Sequence, residues 1–179
     1  MAKRGYTRDT IRGGASEWDV SRPLSSYLRL LGRLLAHPVA FFEVLPRVPD
    51  PRAPAAFLVF CGLPAAPVWY LFGGLYPGLA ALVLPLPLSL ALAGVFHVGT
   101  WGGRHGYPVT WRAVAYPTGL FLPLVAVPGV RWVVGVGVVA VLIPVGLTVV
   151  RELPLRRTLP VGAVLAAAGV LAALSGGGV

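Results

Sequence analysis

From Ser21 onward, long apolar runs alternate with short basic or glycine-rich breaks, and the first of these runs has a helical period. Leu24, Tyr27, Leu28, Leu31, Leu34 and Leu35 recur at intervals of three and four, the spacing of one helix face. Ser21 is a capping residue type and Pro23 suits a first helical turn. Arg29 and Arg33 lie four apart and can extend their charged ends toward head groups. The segment is therefore expected to lie flat on the inner membrane surface, or else to pack on the protein's own spans. His37-Pro38 breaks it and opens a short second helix with Phe41, Phe42 and Leu45, ended by Pro46.

Between Arg52 and Arg104 no residue is charged. A helix needs about twenty residues to cross the hydrocarbon core, so this interval predicts two crossings, near 54–73 and 79–101. The turn is expected at Gly73–Gly78, where breakers accompany Tyr76, an aromatic suited to the interface. Arg112 and Arg131 bracket a third, shorter run interrupted by Pro117 and Pro123. Val130–Val150 predicts a fourth span with a kink at Pro144. Leu159–Leu174, or a stretch starting as early as Leu155, predicts a fifth.

Charge tests that count independently of hydropathy. With the N-terminus inside, fourteen of the fifteen Lys/Arg residues fall in inside segments, and only Arg131 stays outside. This is the positive-inside asymmetry. Five crossings are preferred, because a re-entrant third run would put Arg151, Arg156 and Arg157 on the wrong side. The expectation is an all-α, polytopic helical bundle of the inner membrane, with a cytoplasmic N-terminus and the C-terminus outside. It divides into a flexible tail at 1–22, interfacial amphipathic helices at 23–52 and a membrane domain at 53–179.

Composition agrees: 56% of residues are hydrophobic and 12% charged, against about a quarter charged in soluble proteins. The net charge of +9 points to anionic lipid and not to nucleic acid, since no binding motif accompanies the basic residues. Cys61, the single cysteine, allows no disulfide and no thiolate zinc site. It reads as a small buried apolar residue. No cleaved secretory leader is expected, because about fifty mostly polar residues precede the first long apolar run.

Candidate chemistry concentrates in HVGTWGGRHGYPVTWRAVAYP, His97 to Pro117. Glycine-rich backbone can cradle an anion and arginine can pair with it, yet nucleotide fingerprints need a preceding strand. A tight interfacial turn anchored by Arg104 and Arg112 accounts for the same residues and is the preferred reading. His97 is an ionisable group near a span end, but His105, eight residues on, lacks the one-turn spacing of a helical metal pair. Glu152 is the only acid after Asp50, which disfavours carboxylate-based hydrolysis. No cofactor, metal or catalytic residue is expected. Arg29, Arg33, His97, Arg104, His105, Arg112 and Tyr116 are instead candidate lipid or partner contacts. Gly162 and Ala166 have small-xxx-small spacing, which suits either packing within the chain or a partner in the membrane, a second copy included.

Three segments, LAHPVAFFEVL at 35–45, FHVGTWGGRHGYPVTWRAVAYP at 96–117 and GLTVVRELPLRRTL at 146–159, give the chain a likeness to a known family. In their order along the chain it resembles the bacterial branch of the Yip (Ypt/Rab-interacting) family of membrane proteins. The resemblance implies a cytoplasmic N-terminal region, five spans and a non-enzymatic role in membrane organisation or protein interaction. The long acidic, tyrosine-containing N-terminal region of the trafficking members has no counterpart here, so the resemblance implies the fold and not a GTPase partner. An accessory subunit of a larger membrane complex is the alternative. A permease ranks below both, because spans four and five contain almost no polar residues.

Overall fold

A computed structural model describes residues 21–47, 51–103, 105–125 and 127–176. Nearly all of the expected tail, and Arg104, lie outside the described residues. Those described are helical throughout, with no strand among them. In chain order the helices are α1 (Pro23–Ala36), α2 (Pro38–Glu43), α3 (Arg52–Gly73), α4 (Leu75–Val83), α5 (Pro85–Gly99), α6 (Tyr107–Val125), α7 (Val130–Arg151) and α8 (Leu155–Gly176). Three of these, α3, α7 and α8, are long and apolar enough to cross a membrane. The bent pair α4 and α5 makes a fourth if counted as one span.

Proline sets most departures from the expected boundaries. The run near 79–101 is not one rod: α4 and α5 meet at 59°. Pro85 opens α5; it has no N–H to donate and its ring crowds the carbonyl four residues back. The expected turn at Gly73–Gly78 contracts to Gly74 alone, whose φ of 86° is a left-handed value that glycine tolerates. Tyr76, Pro77 and Gly78 already belong to α4. In α7, residues Val138–Leu142 form a π turn just before Pro144. Widening the helix there accommodates the proline without breaking the rod.

The third run differs most from its reading. α6 starts at Tyr107, so Arg112 lies inside the helix and not in a loop before it. Every residue from Val109 to Pro117 is buried, because α3, α5 and α7 all pack around α6, with α1 touching it as well. Tyr116, fully buried, meets Phe57 at a tilt and Phe41 edge-on, at centroid distances of 4.8 and 5.9 Å. Trp69 of α3 donates its indole N–H to the Leu122 carbonyl at 3.1 Å, satisfying one of the orphan acceptors in the last turn of α6.

α8 is the most peripheral span, with 11% of its apolar window buried. It reaches α7 through Gly162: a Cβ there would stand 2.6 Å from both Pro144 Cγ and the Val139 carbonyl oxygen. The small residue thus serves close packing inside the chain. Thr148 and Thr158 add a hydroxyl pair at 2.9 Å between the same two helices.

α1 presents three faces. Arg22, not Ser21, is its N-cap. Ser26, Leu30 and Leu34 are buried against the bundle, with Tyr27 and Leu31 beside them. Leu30 and Ser26 thus replace part of the expected stripe. Leu24, Leu28 and Leu35 stay exposed at 65, 58 and 61%, and Arg29 and Arg33 occupy a separate exposed face. Tyr27 donates to the Leu120 carbonyl at 3.4 Å. Burial pushes its phenol up from the ordinary value, so it stays a neutral donor.

Candidate functional site

One end of the bundle gathers segments far apart in sequence. The end of α5, the loop to α6, the first turns of α6, the end of α7 and the start of α8 meet there, joined by the residues after α2. Two buried arginines make the connections. Arg112, 1% exposed, donates from Nη1 to the Pro46 carbonyl at 2.6 Å. Arg151, 2% exposed, donates from Nη1 to Thr100 Oγ1 at 2.7 Å, and Thr100 Oγ1 in turn donates to the Phe96 carbonyl at 2.6 Å. At the rim, Arg47 pairs with Glu152 at 2.9 Å. This is the one salt bridge among the described residues.

The expected surface role of Arg112 is therefore corrected: its guanidinium ties α6 to the α2 segment inside the protein. Tyr116 likewise belongs to the core and touches neither lipid nor solvent. Arg29 and Arg33 are exposed on α1 and line neither of the contacts above. In the sequence Arg151 is only one of the inside charges. Its burial was not legible, because its neighbours Thr100 and Gly103 are remote in the chain.

Below the Thr100 contact lies a cavity of about 340 Å³ lined by His97, Trp101, Gly102, Gly103, His105, Gly106 and Arg151. It brings together two of the expected contact residues, His97 and His105, with the unexpected Arg151. His97 Nδ1 is 3.0 Å from Thr110 Oγ1, and its ring meets Tyr107 edge-on at 5.8 Å. Tyr107 is fixed by donating to the Leu90 carbonyl at 2.7 Å. The imidazole is thus held from two sides with Nε2 left for a ligand. Gly103 lies so close that a Cβ would stand 2.6 Å from Arg151 Nε and 2.9 Å from its Cζ. Only a residue without a side chain lets the guanidinium lie flat there. Arg157 approaches the same loop, with Nη1 3.9 Å from where a Cβ of Gly102 would be.

The arrangement offers donors and positive charge. Among the described residues there is no group of three metal-ligating side chains, and the hydroxyls here bond to carbonyls, to arginine or to histidine. A second, larger cavity of about 560 Å³ lies between α7 and α8 and is lined almost wholly by apolar residues, with Arg131 and Trp132 at one end. It offers apolar surface and little chemistry. Comparison with known protein families, curated proteins and solved structures finds no match to this chain. The chemistry of this end is accordingly argued from its own residues.

Proposed function

We propose that this chain is a five-span protein of the inner membrane, with a cytoplasmic N-terminus and the C-terminus outside, acting as a non-enzymatic, Yip-like adaptor. In this reading α3, the bent pair α4 and α5, α6, α7 and α8 each cross once. The observation that carries it is the convergence at one end of the three segments assigned inside by charge: the stretch after α2, the α5–α6 loop and the α7–α8 turn, linked by Arg112 to Pro46, Arg151 to Thr100 and Arg47 to Glu152. Alternating crossings bring every second connection to the same side, and charge assigned these same three to the cytoplasm. Burial of α6 explains why the weakest apolar run is the central helix.

The adaptor role draws support from how the polar groups are used. Arginines and hydroxyls at this end tie segments together and form a basic platform, and the exposed face of α8 leaves room for a partner in the membrane. The test is a set of reporter fusions. Those after Gly78, Pro128 and Gly176 are expected outside, and those at Gly106 and Leu155 inside. A cytoplasmic C-terminus overturns the five-span reading.

A further inference from the structure

We propose that the cavity beneath Arg151 is a binding site for a phosphate group, with Arg151 as its buried cation and His97 Nε2 as a second donor. The argument starts from charge. Arg151 is 2% exposed, and taking a guanidinium out of water costs several kcal/mol unless the charge is paired. Its protein partner is the neutral hydroxyl of Thr100. Its Nε is buried without an acceptor, and no carboxylate lies within ion-pair distance among the described residues. Glu152, next in sequence, turns away in a left-handed conformation and pairs with Arg47. A buried cation of this kind, without a carboxylate among the described residues and lining an open cavity, is a place for an anion.

Phosphate fits the donors better than a metal or a carboxylate. The guanidinium repels cations. Its planar fork matches phosphate oxygens, and the tetrahedral group has oxygens left for His97 and for Arg157 at the rim. Gly103 puts no side chain against the guanidinium, so the loop does not displace it from its place at the cavity. Trp101, 77% exposed at the cavity edge, is an indole of the kind that sits at head-group level, so a phospholipid headgroup and a free phosphate both have access. The inference rests on the reading of this end as a basic platform. Its test is binding, whereas the platform's sidedness is read by reporter fusions, so either can fail alone.

The experiment uses the full chain in neutral detergent and in phosphatidylcholine nanodiscs. Retained phosphatidic acid is counted by native mass spectrometry, and the melting temperature is followed with inorganic phosphate against chloride at equal ionic strength. Wild type is expected to retain phosphatidic acid or to be stabilised by phosphate, and Arg151→Gln to bind about tenfold more weakly or worse, the loss of one charge-assisted contact. Gly103→Ala keeps the charge but pushes the guanidinium aside, and is expected to weaken binding with insertion unchanged; it decides the matter if Arg151→Gln does not fold. Arg131→Gln, at the other cavity, is expected to bind as wild type. Response to the lipid alone identifies a headgroup site, and response to inorganic phosphate a site for the free ion. No response to either overturns the proposal. So does equal binding by wild type and Gly103→Ala, or an equal loss in Arg131→Gln, which would reflect general charge attraction.

Discussion

Arg112, in the second turn of α6, donates to the carbonyl of Pro46 across 2.6 Å, joining residues 66 apart in the chain. A guanidinium buried to this extent holds the central helix against the segment that precedes the first span. Replacing it with glutamine shortens the side chain and leaves the Pro46 carbonyl without its charged donor. A charge-assisted bond of this kind contributes about 1.5–3 kcal/mol. Arg112→Gln is expected to lower the thermal midpoint in detergent by several degrees, while Arg131→Gln, on an exposed residue, leaves it within error. Equal midpoints for the two variants would remove Arg112 from the structural role assigned to it.

Gly162 tests the α7–α8 contact. A Cβ there meets Pro144 and the Val139 carbonyl at 2.6 Å, atoms belonging to or bordering the π turn and unable to yield cheaply. Gly162→Ala is expected to cost about 1–3 kcal/mol, the range for overpacking. At Gly169, on the same helix, a Cβ meets nothing within 4 Å, and alanine is expected to be neutral or mildly favourable. Thermal melts of the two variants in one detergent give the comparison.

The three faces of α1 predict its position at a boundary. Its exposed leucines suit lipid, and Arg29 and Arg33 suit head groups, each basic residue being worth about 1 kcal/mol near an anionic surface. A fluorophore on Leu28→Cys is expected to be quenched by brominated lipid in nanodiscs, whereas one on Ala36→Cys, exposed on the side of the arginines, is expected to respond to an aqueous quencher. The reverse pattern would set α1 away from the membrane.

At the opposite end, Trp69 supports the last turn of α6 through the Leu122 carbonyl. Trp69→Phe keeps most of the apolar contact and deletes the donor. The expected loss is about 1 kcal/mol, together with faster hydrogen exchange confined to the C-terminal turn of α6.

Much of the architecture was legible along the chain because its causes are local. Run length and the distribution of arginine predicted α3 and α7 closely, α8 starts at Leu155, the earlier of the two expected positions, and the His37-Pro38 break placed α2. The α4–α5 bend was missed although Pro85 stood in the sequence, since a proline near a span's middle can kink a helix or be absorbed by it, and the neighbours decide which. α7 absorbed Pro144 in a π turn, where Gly162 of another helix fills the space alongside.

What the sequence determined by itself is a chain of apolar helices with its arginines gathered in the breaks between them, because hydropathy and charge are properties of residues and their near neighbours. Only the tertiary structure decided which polar residues are inside. Arg112 and Arg104 read alike in one loop, yet α6 begins early enough to carry Arg112 into the bundle. Arg151 read only as one of the inside charges, yet the arrival of Thr100 from 51 residues away and the bare backbone of Gly103 enclose it. Burial depends on which distant segments come to lie beside a residue, and no local pattern in the chain encodes that.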